Sequence, residues 1–167
     1  MSRPVVVSDA GPLIALAGCD QLELLVAVFE ALHVPQAVLD ETTATGDRSR
    51  PGAADIAAFL RTHAQVHPQR NDTVYMAAVS HLDEGEAQAL SLAKVLGCGV
   101  LMDERRGRQA ALRQGAPLFG VLGVLLQAKR IGKLECVCPT LERMQTNGYR
   151  ISQALIDSAL KLAGETR

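Results

Sequence analysis

The sequence has no tryptophan and few aromatic residues of any kind, two Tyr and three Phe in 167 positions. A core must therefore be built from Ala, Val, Leu and Ile, and a broad aromatic platform for stacking unpaired bases is excluded. It also lacks an excess of either charge: 17 Lys and Arg stand against 18 Asp and Glu, net −1. No global field draws the chain to a polyanion, so any nucleic-acid contact has to come from a local patch. Cys19, Cys98, Cys136 and Cys138 form neither a CxxC pair nor a metal-finger spacing, which reads as reduced thiols. Long apolar runs are missing too. The first is broken by Asp9, Gly11 and Pro12, and the later one from Gly120 to Ala128 is shorter still, both well under the ~20 residues of a membrane span. With no basic segment ahead of a secretory core, the expectation is a soluble, cytoplasmic chain without membrane contact. No G-x-G-x-x-G follows the first apolar run, and His33, His63, His67 and His81 are scattered with no nucleophile elbow beside them. Dinucleotide binding and acyl-transfer hydrolysis are left without support.

What is present begins with Val5-Val6-Val7-Ser8-Asp9. Three β-branched residues suit a strand, and an unbroken apolar run suggests one buried on both faces, as parallel strands are. Gly11-Pro12 then hands over to a helix. Further strands are expected at Leu32 to Val34, Ala64 to His67, Gly99 to Met102 and Pro117 to Phe119. Helices are expected around Leu22 to Phe29, from Pro35 through Glu41, over Ala53 to His63, from Asp83 to Gly97, Glu104 to Gln114, Val121 to Arg130, Pro139 to Asn147, and Ser152 to Ala163. Tyr75 to His81 fits either element, and Asp47 to Gly52 reads as loop. The alternation predicts a three-layer α/β/α fold with a central, mainly parallel sheet, in one domain over residues 1–167. Residues 136–167, without a strand, are expected as a C-terminal helical appendix.

Four acids stand out by position. Asp9 and Asp103 close strands, Glu41 lies on the helix after the second strand, and Glu86 is in the first turn of the long helix. In open α/β sheets ligands bind at the carboxyl ends of strands. Carboxylates crowded there repel one another unless a hard cation such as Mg2+ or Mn2+ neutralises them, and such an ion can hold a phosphate and activate water. Each acid also has a plain structural reading: Asp9 as a turn residue, Asp103 as a helix N-cap, Glu86 with Asp83 as a capping box, and Glu41 as a solvated helix residue. Spacing alone does not choose between them.

The segments Val7-Ser8-Asp9-Ala10-Gly11-Pro12-Leu13-Ile14, Val34-Pro35-Gln36-Ala37-Val38-Leu39-Asp40-Glu41, Gly85-Glu86-Ala87 and Leu101-Met102-Asp103-Glu104 resemble the PIN-domain family, notably its prokaryotic VapC-like branch. Gly120 to Leu126 and Asn147-Gly148-Tyr149-Arg150-Ile151-Ser152 extend the likeness over nearly the whole chain. The resemblance implies a metal-dependent ribonuclease, with Asp9, Glu41, Glu86 and Asp103 ligating Mg2+ or Mn2+ and positioning water on an RNA phosphate. It also implies a toxin held by a small antitoxin protein, and a homodimer. Ala10 and Gly11 depart from the hydroxyl residues that follow the first acid in many relatives.

The densest positive stretch follows Asp103: Arg105, Arg106, Arg108 and Arg113. Beside an acidic site, Arg105, Arg106 and Arg108 are candidates to grip RNA phosphates, with Arg48 and Arg50 a weaker second pair. The same run also fits a solvated helix face. A second functional class stays open, a catalytically silent PIN-like module that binds nucleic acid or a protein. An enzyme needs the divalent ion and all four acids, whereas a binding module tolerates Asp9→Asn.

Overall fold

The computed structural model describes residues 2–46 and 50–166. Arg48, and residues 47–49 of the expected loop, lie outside them. The five strands of the sheet are β1 (Val5–Ser8), β2 (Ala31–Pro35), β3 (Ala64–His67), β4 (Gly99–Leu101) and β5 (Leu118–Phe119). They run in the order β3-β2-β1-β4-β5, and every neighbouring pair is parallel. The valine-rich β1 can be central because its side chains are apolar on both faces. Val6 and Val7 are both fully buried but belong to different apolar clusters, one on each side of the sheet.

Helices form the outer layers. On one face α1 (Ala10–Ala17), α2 (Glu23–Val28), α4 (Ala53–His63), α8 (Val121–Arg130), α9 (Cys138–Thr146) and α10 (Gln153–Ala163) pack over Val6 and Leu101. On the other lie α5 (Thr73–Ala78), α6 (Glu84–Leu96) and α7 (Arg105–Gln114), with Leu90, Leu92 and Met102 at the centre. The remaining helix, α3 (Gln36–Thr42), follows β2 directly. The result is a three-layer α/β/α fold with a parallel central sheet.

Local chemistry accounts for several boundaries. α6 starts on a capping box in which the Glu86 amide donates to Asp83 Oδ1 at 2.8 Å and the Asp83 amide to Glu86 Oε2 at 3.2 Å; it ends at Gly97, φ 61°. The ambiguous Tyr75 to His81 stretch resolves as the last part of α5, to Ala78, followed by a turn; the helix is set by Asp72, whose carboxylate accepts from the Tyr75 amide at 2.9 Å. α1 begins at Ala10 rather than Pro12; proline is tolerated there because first-turn amides have no intrahelical acceptor.

The last two helices share the main core: Leu141, Met144, Ile156 and Leu160 are buried in the same cluster as Val6. Polar ties fix them further. Asn147 Nδ2 donates to the Gly18 carbonyl at 2.8 Å. Glu165 accepts from Lys129 Nζ at 2.6 Å and from the Val137 and Cys138 amides at 2.7 and 2.9 Å, placing a carboxylate on the N-terminus of α9. Among the described residues no disulfide joins the four cysteines. Among the described residues no helix is long and apolar enough to cross a membrane.

Candidate active site

Because β1 and β4 are neighbours in register, Ser8 opposite Leu101, the chain leaves both strands at one sheet edge. The Asp9 amide donates to the Leu101 carbonyl at 2.9 Å, extending the ladder by one residue and drawing Asp9 into the crevice. Asp9 occupies the N-cap position of α1, but its carboxylate makes no capping bond. It is only 5% exposed.

Two glycines make room for the acids. A Cβ on Gly85, at the start of α6, would lie 3.3 Å from Glu41 Oε2 and 3.4 Å from Asp9 Oδ1. The Glu41 and Asp9 carboxylates therefore meet against the bare backbone of that turn. A Cβ on Gly107, in α7, would lie 3.0 Å from Glu86 Oε1, so the second oxygen of the capping glutamate is accommodated in the same way. Capping and site membership are compatible for Glu86, since one oxygen caps and the other faces α7.

The electrostatics follow from this crowding. The Asp9 pKa is raised to about 8, by burial first and then by the charges of Asp83, Glu86 and Glu41, against a lowering by the Ala10 amide. Glu41 is raised by burial and by Asp83, against a lowering by Arg50, whose Nη2 stands 3.6 Å from Glu41 Oε1. Glu86 is raised by burial, Asp83, Glu104 and Glu41, with the Asp83 amide opposing. Asp83, read from the sequence as a cap alone, is thus part of the acidic field.

Asp103 sits differently. It is not the N-cap of α7, a position taken by Glu104. Its Oδ1 instead accepts from the Val121 amide at 3.1 Å, bracing the start of α8, while Oδ2 is buried with no hydrogen bond of good geometry. Burial raises its pKa against the lowering effects of the nearby Tyr149 hydroxyl, the Val121 amide and Arg108. The charge of Glu104 raises both Glu86 and Asp103, so the acids form an open row from Glu41 to Asp103. Among the described residues no three acids, histidines or cysteines close tightly enough to enclose a cation. The donor set nonetheless suits one chemically: all oxygen and of one sign, with the pKa values of Asp9 and Asp103 raised chiefly by burial.

Of the basic residues, Arg105 and Arg106 are exposed beside this row. Arg108 turns inward, donating to the Met102 carbonyl at 2.9 Å. That bond holds the β4 end rather than presenting a cation to solvent.

A sequence profile described as PIN domain (DUF3368) matches residues 5–165. The chain belongs to the PIN-domain family. PIN domains are typically nucleases and generally use divalent metal ions. Among solved structures, a PilT N-terminus domain protein from the hyperthermophilic archaeon Sulfolobus solfataricus P2 is similar at 13% identity, TM-score 0.53, covering 74% of this chain and 92% of that one. At that identity the likeness shows the shared fold. No curated protein matches the sequence. Within this PIN domain, Asp83, Arg50 and Tyr149 join the neighbourhood of the four predicted acids. Tyr149 stands in the Asn147-to-Ser152 segment of the family resemblance, which was the sequence's only signal for it.

Proposed function

We propose that this PIN domain is an Mg2+- or Mn2+-dependent endoribonuclease, with Asp9, Glu41, Glu86 and Asp103 as its acidic machinery. The observation that carries the reading is Asp9: a carboxyl 5% exposed at the sheet edge, without a capping bond, whose pKa is raised to about 8 by burial first and by the surrounding acids second. A fold does not bury an acid among acids for stability, so a ligand of opposite charge is the economical explanation. Asp9 and Glu41 would hold the ion with Glu86 beside them, and Asp103 would present a carboxylate oxygen from the far end of the row. When bound, such an ion supplies Lewis acidity toward a phosphodiester oxygen and lowers the pKa of a water. Exposed Arg105 and Arg106 would hold flanking RNA phosphates, with inward-facing Arg108 fixing the strand end beneath them. The family resemblance extends the proposal to a toxin restrained by a small antitoxin protein and acting as a homodimer.

A catalytically silent module that binds nucleic acid or protein is the second reading, favoured by the open spacing of the acids. The test is cleavage of a mixed RNA pool with Mg2+ or Mn2+, beside an identically purified Asp9→Asn/Asp103→Asn protein. Metal-dependent cutting lost in the double variant is expected. Equal cutting by both proteins, or by neither when metal binding is confirmed by calorimetry, refutes the enzyme reading.

A further inference from the structure

A cleft of about 760 Å3 opens beside the acidic row, between α1 and the turn joining α9 to α10. Its volume is in the range of small-ligand pockets, ~300–1,000 Å3. Ile14 gives it an apolar lining, backed by the buried Ala15 and Met144; Asp103 and Glu104 stand at its acidic end, and it carries the two arginines Arg50 and Arg150. Tyr149 lines it as well. The wall is built rather than incidental. Asn147 Nδ2 binds the Gly18 carbonyl at 2.8 Å, the Tyr149 amide binds the Met144 carbonyl at 2.9 Å, and Gly148 turns with φ 87°.

We propose that this cleft is a nucleotide subsite, holding the residue of a single RNA strand next to the scissile phosphate. The inference rests on the ribonuclease reading and deepens it. Its chemistry is the combination one nucleotide needs: cationic groups for a phosphate, an apolar floor for a base edge, and one aromatic wall. Charge placement gives the strand a path. Arg50 reaches back to Glu41 and Arg150 lies at the Tyr149 turn, so a strand following the arginines passes the acids from Glu41 to Asp103. A protein occupant fits less well, because none of the large exposed apolar side chains, such as Leu112, Leu155 or Leu162, lines the cleft to act as an anchor. The scarcity of aromatics agrees with a single stacking wall and not with a platform.

The experiment uses the full chain as Asp9→Asn, which leaves RNA intact, with a fluorescein-labelled mixed-sequence RNA decamer followed by anisotropy across a salt series. Adding Arg150→Ala, at an exposed position, is expected to weaken binding about five- to tenfold and to reduce the salt slope by about 0.7, the value of one single-strand phosphate contact. Arg150→Lys should restore most of the loss. In parallel, 4-thiouridine RNA should photocrosslink to the peptide carrying Tyr149. If Asp9→Asn binds the decamer but Arg150→Ala changes nothing and crosslinks fall only on α7, the subsite is overturned, the ribonuclease reading stands, and the cleft is left to a protein partner. If folded Asp9→Asn protein binds no RNA at all, both readings fail together.

Discussion

Replacing Asp9 by Asn should stabilise the metal-free protein, and the gain should grow with pH. In the unfolded chain Asp9 titrates near its ordinary value of 3.8, whereas in the folded, metal-free chain burial and neighbouring acids move it to about 8. Between those values the folded state holds a proton that the unfolded state has released, so stability falls by up to about 1.4 kcal/mol per pH unit. The contribution is fully present below pH 4 and is lost as pH rises through 8. The full span would amount to roughly 6 kcal/mol; relaxation and water entry reduce it, and about 2–4 kcal/mol is the working figure at pH 8. For a domain of this size that is ~5–15 °C in Tm. Asn keeps the shape, loses the charge, and sacrifices no capping bond, since Asp9 makes none. The assay is thermal unfolding of both proteins in EDTA from pH 4 to pH 8. The curves should coincide at the acid end and separate as pH rises, with Mg2+ narrowing the gap by stabilising only the native sequence. A gap independent of pH, or a variant less stable throughout, would show that Asp9 serves the fold and would refute the argument.

Three further outcomes are expected. Gly85→Ala places a methyl 3.3–3.4 Å from the Glu41 and Asp9 carboxylates; it should weaken divalent-ion binding measured by calorimetry about tenfold while Tm moves by only a few degrees, because helix propensity offsets the crowding by about 1 kcal/mol. Gly99→Ala drives a Cβ to 2.5 Å from the Phe119 ring and 2.9 Å from the Pro117 carbonyl, and should cost about 1–3 kcal/mol in urea unfolding. Arg105→Ala/Arg106→Ala should reduce the salt slope of RNA binding by about 1.4 without altering metal affinity; an unchanged slope would return these residues to a solvated helix face.

How much of this was legible in advance depends on the range of the physics involved. Val5 to Val7 announced a two-face-buried strand through stiffness and an unbroken apolar run, and those three positions needed no distant partner to be read. Asp83 with Glu86, Gly97 and Ser152 marked helix ends because a cap acts within four residues. The strand-end positions of Asp9 and Asp103 came from the same local signals. Tyr75 to His81 stayed ambiguous because the deciding cap, Asp72, lies outside the stretch itself.

Tertiary structure alone decided how the acids divide. Asp83 joins Asp9, Glu41 and Glu86 because α3 and α6 pack side by side, and Gly85 lets the carboxylates meet there. Asp103 is drawn toward Val121 and Tyr149, 18 and 46 residues away in sequence, by the docking of α8 and of the last turn. Arg108 looked like its exposed neighbours until packing of α7 aimed it at the Met102 carbonyl. The His33 and His67 rings, 2.9 Å apart at their nitrogens, met only once β2 and β3 were paired. Backbone preference and capping are written in adjacent residues, so the sequence by itself determined the elements and where the acids fall along them. Which side chains share a dielectric, a partner or a cleft depends on contacts tens of residues apart, and those exist only after the layers have packed.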